Sequence, residues 1–97
     1  MTVSEAVLTY ARNIAKATRE EKRFRLGAST RGYLALVLAA RAKAFLEGRD
    51  YVIPDDVKAL VEPVLAHRMV LTVEAKRQKT SANLILKDMM THVRVPV

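Results

Sequence analysis

Apolar residues recur along this chain at steps of three and four, and the places where that rhythm stops divide it into elements. Val3, Val7, Tyr10/Ala11 and Ile14 form one stripe, continued by Ala17, while Arg12, Lys16 and Arg19 share the opposite side. The spacing predicts an amphipathic, half-buried helix reaching about Glu20. Thr2-Val3-Ser4-Glu5 reads as a capping box for it, with Thr2 as N-cap and Glu5 reaching back. Residues 21–27 form a charged connector in which Phe24 and Leu26 alternate with Lys22, Arg23 and Arg25. It reads as a loop or a short irregular continuation of the helix.

A second helix opens at Gly27-Ala28-Ser29-Thr30-Arg31-Gly32, with Ser29 as N-cap. Tyr33 to Ala40 is apolar on every side, which predicts a central helix surrounded by neighbours. Arg41, Lys43 and Glu47 return it to solvent, and Gly48 suits the left-handed position after a helix end. Pro54, Asp55 and Asp56 open a third helix, with Ile53 as a poor N-cap. Its stripe is Val57, Leu60, Val61, Val64 and Leu65; Pro63 interrupts it and predicts a kink or break near Ala59–Glu62. Met69–Val73 is a short strand or extended tie, and 74–80 is polar loop. Ser81 caps a last helix that turns Ala82, Ile85/Leu86, Met89/Met90 and Val93 inward. The sum is an all-α fold: a small four-helix bundle, with a minimal strand pair near 69–73 and 94–97.

Ninety-seven residues make one domain. The absence of cysteine fits a reducing compartment, the cytoplasm. The longest apolar run, Tyr33 to Ala40, is far short of the ~18 residues that span a bilayer, and residues 1–5 do not resemble a signal sequence. No membrane association is expected. Net charge is +7 and uneven: residues 1–49 hold ten Lys/Arg against four Asp/Glu, residues 50–97 seven against six. The basic first half favours an anionic partner, or is simply a solvated face.

Few residues can carry chemistry. Arg31 falls in the first turn of its helix, where a cation adds to the positive end of the dipole. With the free N–H groups there it makes an anion site suited to phosphate; taken alone, an exposed arginine with its head in water explains it as well. Gly32 lowers helix propensity and either permits close approach of a ligand or backbone or is a tolerated weakness. Neither Gly-x-x-x-x-Gly-Lys-Ser/Thr nor Gly-x-Gly-x-x-Gly occurs. His67 and His92 lack partners at metal spacing. Capping accounts for Asp55 and Asp56, and core filling for Met69, Met89 and Met90. The basic residues are not interleaved with exposed aromatics, which argues against nucleic acid. The chain by itself is not expected to be an enzyme.

Ala17-Thr18-Arg19, Leu26 to Arg31, Ala39-Ala40-Arg41-Ala42, Gly48 to Val57 and Val64-Leu65-Ala66-His67-Arg68 together resemble the C-terminal lid domain of MoxR-type AAA+ ATPases. Val95-Pro96-Val97 is also similar to the close of such proteins. The resemblance implies a four-helix lid beside an N-terminal AAA+ α/β domain of the same parent chain, which is absent here. It implies ATP, with Mg bound by that other domain and no nucleotide site in this fragment alone. By match, Arg31 is the sensor 2 arginine, the one catalytic residue, reaching the γ-phosphate; Ser29 and Tyr10 complete the cofactor-binding set, Tyr10 and Ile14 either bordering the adenine or simply packing the core, which explains their stripe positions adequately. Thr30 and Gly32 stand where the family usually has proline and alanine, which loosens the turn without removing the charge. The resemblance further implies neighbouring subunits in a hexameric ring and chaperone-like work on a client protein it does not name. The alternative reading is a stand-alone basic helical module that binds an acidic protein or nucleic acid.

Overall fold

The computed structural model describes residues 1–96. Helix α1 spans Glu5–Glu20 and turns Val7, Tyr10, Ala11, Ile14, Ala15 and Thr18 inward at alternating steps of three and one. Its cap is Ser4, not Thr2: the Ser4 hydroxyl accepts from Val7 N–H at 3.2 Å. Thr2 is held short of the helix because its backbone is used elsewhere. Its N–H donates to Asp50 C=O at 2.8 Å and its C=O accepts from Val52 N–H at 3.0 Å.

The charged connector is a strand. β1, Phe24–Leu26, pairs antiparallel with β2, Val70–Leu71, Phe24 opposite Leu71 and Leu26 opposite Val70. The expected strand near 69–73 is therefore present, but its partner is not 94–97. Phe24 is buried and anchors the connector against the core, which brings its backbone beside β2. The tail at 94–96 has no strand and instead borders α1 at Ala6, Thr9, Tyr10 and Asn13; Val97 lies outside the described residues.

Helix α2, Thr30–Leu46, and α3, Pro54–Leu65, form the most extensive helix pair. Gly48, at φ +78°, reverses the chain between them. Its N–H donates to Phe45 C=O at 3.0 Å and Arg49 N–H to Ala44 C=O at 2.9 Å, the paired bonds of a Schellman motif. Helix α3 runs unbroken through Pro63, contrary to the expected break. The proline frees the carbonyl of Ala59, which is exposed and open to water, while buried Val61 and Leu65 hold the turn to the core. A 3-10 turn, Ala66–Arg68, follows.

A fifth helix lies where polar loop was expected. α4, Val73–Arg77, is a single short stretch capped by Thr72, whose hydroxyl accepts from Ala75 N–H at 3.1 Å. α5, Ala82–Met90, is capped by Ser81 as predicted and buries Ile85, Leu86 and Met89. Arg23 ties β1 to this helix, donating to Asp88 at 2.8 Å while gripping Glu21 at 2.9 Å.

α2 is not surrounded. Gly32, Leu36, Ala40 and Ala44 face the core, but Leu34 and Leu38 are 52% and 59% exposed, and Phe45 and Leu46 72% and 83%. An all-apolar sequence does not reveal which of its faces has a neighbour within the domain. No helix among the described residues is long and apolar enough to cross a membrane.

Candidate functional site

The turn Gly27–Gly32 is fixed before any ligand arrives. Thr18, fully buried on α1, is its anchor. The Thr18 hydroxyl donates to Ala15 C=O at 2.6 Å and accepts from Ala28 N–H at 2.8 Å. One turn-facing guanidinium completes the grip: Arg19 donates to Ala28 C=O at 3.0 Å. Gly27 allows this closeness, because a Cβ there would meet the backbone of Thr18 and Arg19 at 2.6 Å.

From that anchor the chain enters α2. Ser29 is extended (φ −83°, ψ 178°), and its hydroxyl accepts from Gly32 N–H at 3.4 Å, the capping role assigned from sequence. The N–H groups of Thr30 and Arg31 come too early in the helix for an intrahelical acceptor. Arg31 is exposed, and among the described residues its guanidinium has neither an ion pair nor a hydrogen bond. A cation at the positive end of a helix, without a compensating acid, costs a few tenths of a kcal/mol up to ~1.

Gly32 faces inward rather than toward a ligand. A Cβ there would meet Ala28 Cβ at 3.2 Å, Leu65 Cδ2 at 3.6 Å and the Arg68 stem at 3.8 Å. Its smallness thus serves packing between α2 and the end of α3. Arg68 lies beside this turn, with its Nε donating to Val64 C=O at 3.2 Å.

Tyr10 sits elsewhere on α1. It is buried, its hydroxyl has no hydrogen-bond partner, and burial, with Asp55 nearby, pushes its pKa up. Its ring borders a recess of about 340 Å³ shared with Asn13 and Pro96. A second recess, about 430 Å³, runs past Arg12, Lys16, Arg19, Thr30 and Tyr33 and also reaches Asn13. Ser29 and Arg31 are thus neighbours, whereas Tyr10 approaches them only along the α1 surface. The predicted basic face of Arg12, Lys16 and Arg19 is real and flanks the start of α2.

His67 and His92 are exposed. Among the described residues no group of three or more His, Cys, Asp or Glu is placed to hold a metal. Asp55 and Asp56 differ. Asp55 is exposed, and Asp56 is a buried clamp. Arg49 donates to both Asp56 oxygens, at 2.7 and 2.6 Å; Lys43 adds a bond at 3.1 Å and Ile53 N–H another at 2.9 Å. The Arg49 guanidinium, with these other donors, holds the Asp56 carboxyl well below the usual carboxylate range. Asp56 therefore reaches back to the N–H of the N-cap residue Ile53, the returning half of a capping box, and locks the α2–α3 connection. Sequence reasoning read the capping but not the clamp; the signal was Arg49 seven positions before Asp56. It also passed over Thr18, a hydroxyl on the buried side of α1.

The anchored turn with an unpaired arginine at its exit is the chain's distinctive arrangement. A family model described as AAA lid domain matches residues 16–89, from the α1 anchor through α5. The chain belongs to the AAA lid domain family. Its relatives make this a lid of the MoxR type. It is 43% identical, over 96% of its length, to the uncharacterized protein YeaC of Bacillus subtilis. It is 34% identical, over 97% of its length, to the chaperone MoxR1 of Mycobacterium tuberculosis. A solved structure from Cytophaga hutchinsonii, of a protein assigned as an ATPase, superposes with a TM-score of 0.92 at 32% identity over 99% of this lid. The lid spans only part of each: 29% of YeaC, 27% of MoxR1 and 32% of the Cytophaga chain.

Proposed function

We propose that this lid closes against ATP held by an AAA+ α/β domain, and that Arg31 is its sensor 2 arginine. The observation that carries the reading is Arg31 itself: exposed, without a partner among the described residues, and leaving a turn that Thr18 and Arg19 fix in place. A cation poorly accommodated by its own helix becomes well accommodated once a phosphate faces it.

Bound ATP supplies the phosphoryl group that is transferred to water. The chain's own part is to present a guanidinium fork and the N–H groups of Thr30 and Arg31 to the γ-phosphate, with Ser29 holding the helix start in shape. Tyr10 enters this reading only through the ring edge beside Asn13, as an adenine contact on the α1 side. On this reading Mg is held by the α/β domain. Loss of the γ-phosphate contact releases the lid, which couples hydrolysis to movement. In a hexameric ring that movement acts on a client protein in chaperone-like remodelling, a role supported by the description of MoxR1 as a chaperone.

The test is nucleotide discrimination. In the ATPase carrying this lid, Arg31→Ala should weaken ATP binding about tenfold or more, the value of a charge-assisted pair, and leave ADP affinity nearly unchanged. Equal weakening of both nucleotides, or of neither, would overturn the sensor assignment.

A further inference from the structure

α1 presents a run of cations that the lid does not neutralise. Arg12, Lys16 and Arg19 are exposed, and steps of four and three place them within about 60° of arc and roughly 10 Å of helix. Like charges at such spacings repel one another and weaken the helix. Among the described residues Arg12 and Lys16 make no ion pair or side-chain hydrogen bond, and Arg19 makes only its bond to Ala28 C=O. Two of the four acids in residues 1–49 are occupied elsewhere, Glu21 by Arg23 and Glu47 by Lys43 and Arg49. The three cations line the recess of about 430 Å³ between α1 and α2, and no acidic residue lines it. The rest of its lining is less polar and includes buried Ala15 on α1 and half-buried Tyr33 on α2.

We propose that this groove docks an acidic segment of a partner protein, its carboxylates facing Arg12, Lys16 and Arg19 and an apolar side chain set against Ala15 and Tyr33. Charge complementarity selects the sign of the occupant. The make-up of the groove selects a peptide over a nucleic acid. Three cations offer few contacts to a phosphate backbone, and Tyr33 is half-buried rather than displayed for base stacking. A peptide extended along α1 repeats one face every ~6.6 Å, close to the roughly 6 Å of helix between Arg12 and Lys16. Arg31 does not line the groove, so the proposal stands apart from the sensor 2 reading.

The experiment follows the fluorescence anisotropy of two labelled probes added to the ATPase carrying this lid. One is a short peptide of Glu-Gly-Glu-Leu repeats, the other a single-stranded DNA of equal length. Arg12→Glu with Lys16→Glu reverses the charge of the groove and spares Arg19, which holds the Ala28 turn. That pair should weaken the acidic peptide about tenfold or more. It should also create binding of the matching peptide with Lys in place of Glu, a gain that a damaged fold would not give. Lys76→Glu with Arg77→Glu makes the same change of charge on α4, outside the groove, and should leave the acidic peptide within about twofold. No peptide binding by the unmodified protein, or no weakening by the groove pair, would overturn the proposal. Equal weakening by both pairs would reduce the effect to net charge and overturn it too. Groove-dependent binding of the DNA without the peptide would overturn it in favour of nucleic acid.

Discussion

At the scale of single residues the lid is decided by a few buried polar atoms. Asp56 is wholly buried and accepts from Arg49, Lys43 and Ile53. Asp56→Asn keeps the shape and removes the charge. Denaturant unfolding should show a loss of about 2 kcal/mol, the range for hydrogen bonds to a charged group. The pH dependence has a definite sign. Because the folded carboxyl titrates below its unfolded value, its stabilisation is present above the unfolded value of about 4 and is lost as pH falls. Stability of the unmodified chain should therefore decline from roughly pH 5 downward, and the Asn variant should decline less steeply. A parallel decline in both would show that the clamp is not the titrating group. Arg31 is the opposite case, a charge with no partner among the described residues.

Elements were legible to the degree that one face was apolar. α1 and α5 followed their stripes, and Ser29, Ser81 and Gly48 took the roles their chemistry predicts. The failures have separate physical causes. Thr2 lost the cap to Ser4 because a backbone bridge to residues 50–52 claimed it. Pro63 did not break α3 because tertiary packing outweighed one bond lost on the solvent side. The pairing of β1 with β2 joins residues more than forty positions apart, and periodicity carries no information about such partners. The same holds for the anchor between Thr18 and Ala28, which fixes the turn at the site. Thr18→Val removes the acceptor of the buried Ala28 N–H. It should cost about 1–3 kcal/mol and speed amide exchange at Ala28; unchanged exchange there would show that the turn is held by other contacts.

For the whole molecule, α2 exposes Leu34, Leu38, Phe45 and Leu46, and Arg31 has no partner among the described residues. The +7 charge, concentrated in the first half, adds a field that favours the anionic side of a partner. The role proposed for Arg31 comes from family resemblance, because a first-turn arginine has a bland explanation; the structure adds its exposure, its lack of a partner among the described residues and the hydrogen bonds that hold the turn beneath it. The most direct measurement is steady-state ATP hydrolysis by the ATPase carrying this lid, at saturating ATP, with Arg31→Ala beside the unmodified protein and circular dichroism to verify the fold. The account predicts a fall in kcat of tenfold or more. Unchanged kcat in a folded variant would contradict it, return Arg31 to the solvated basic face, and make a stand-alone module that binds an acidic partner the better explanation.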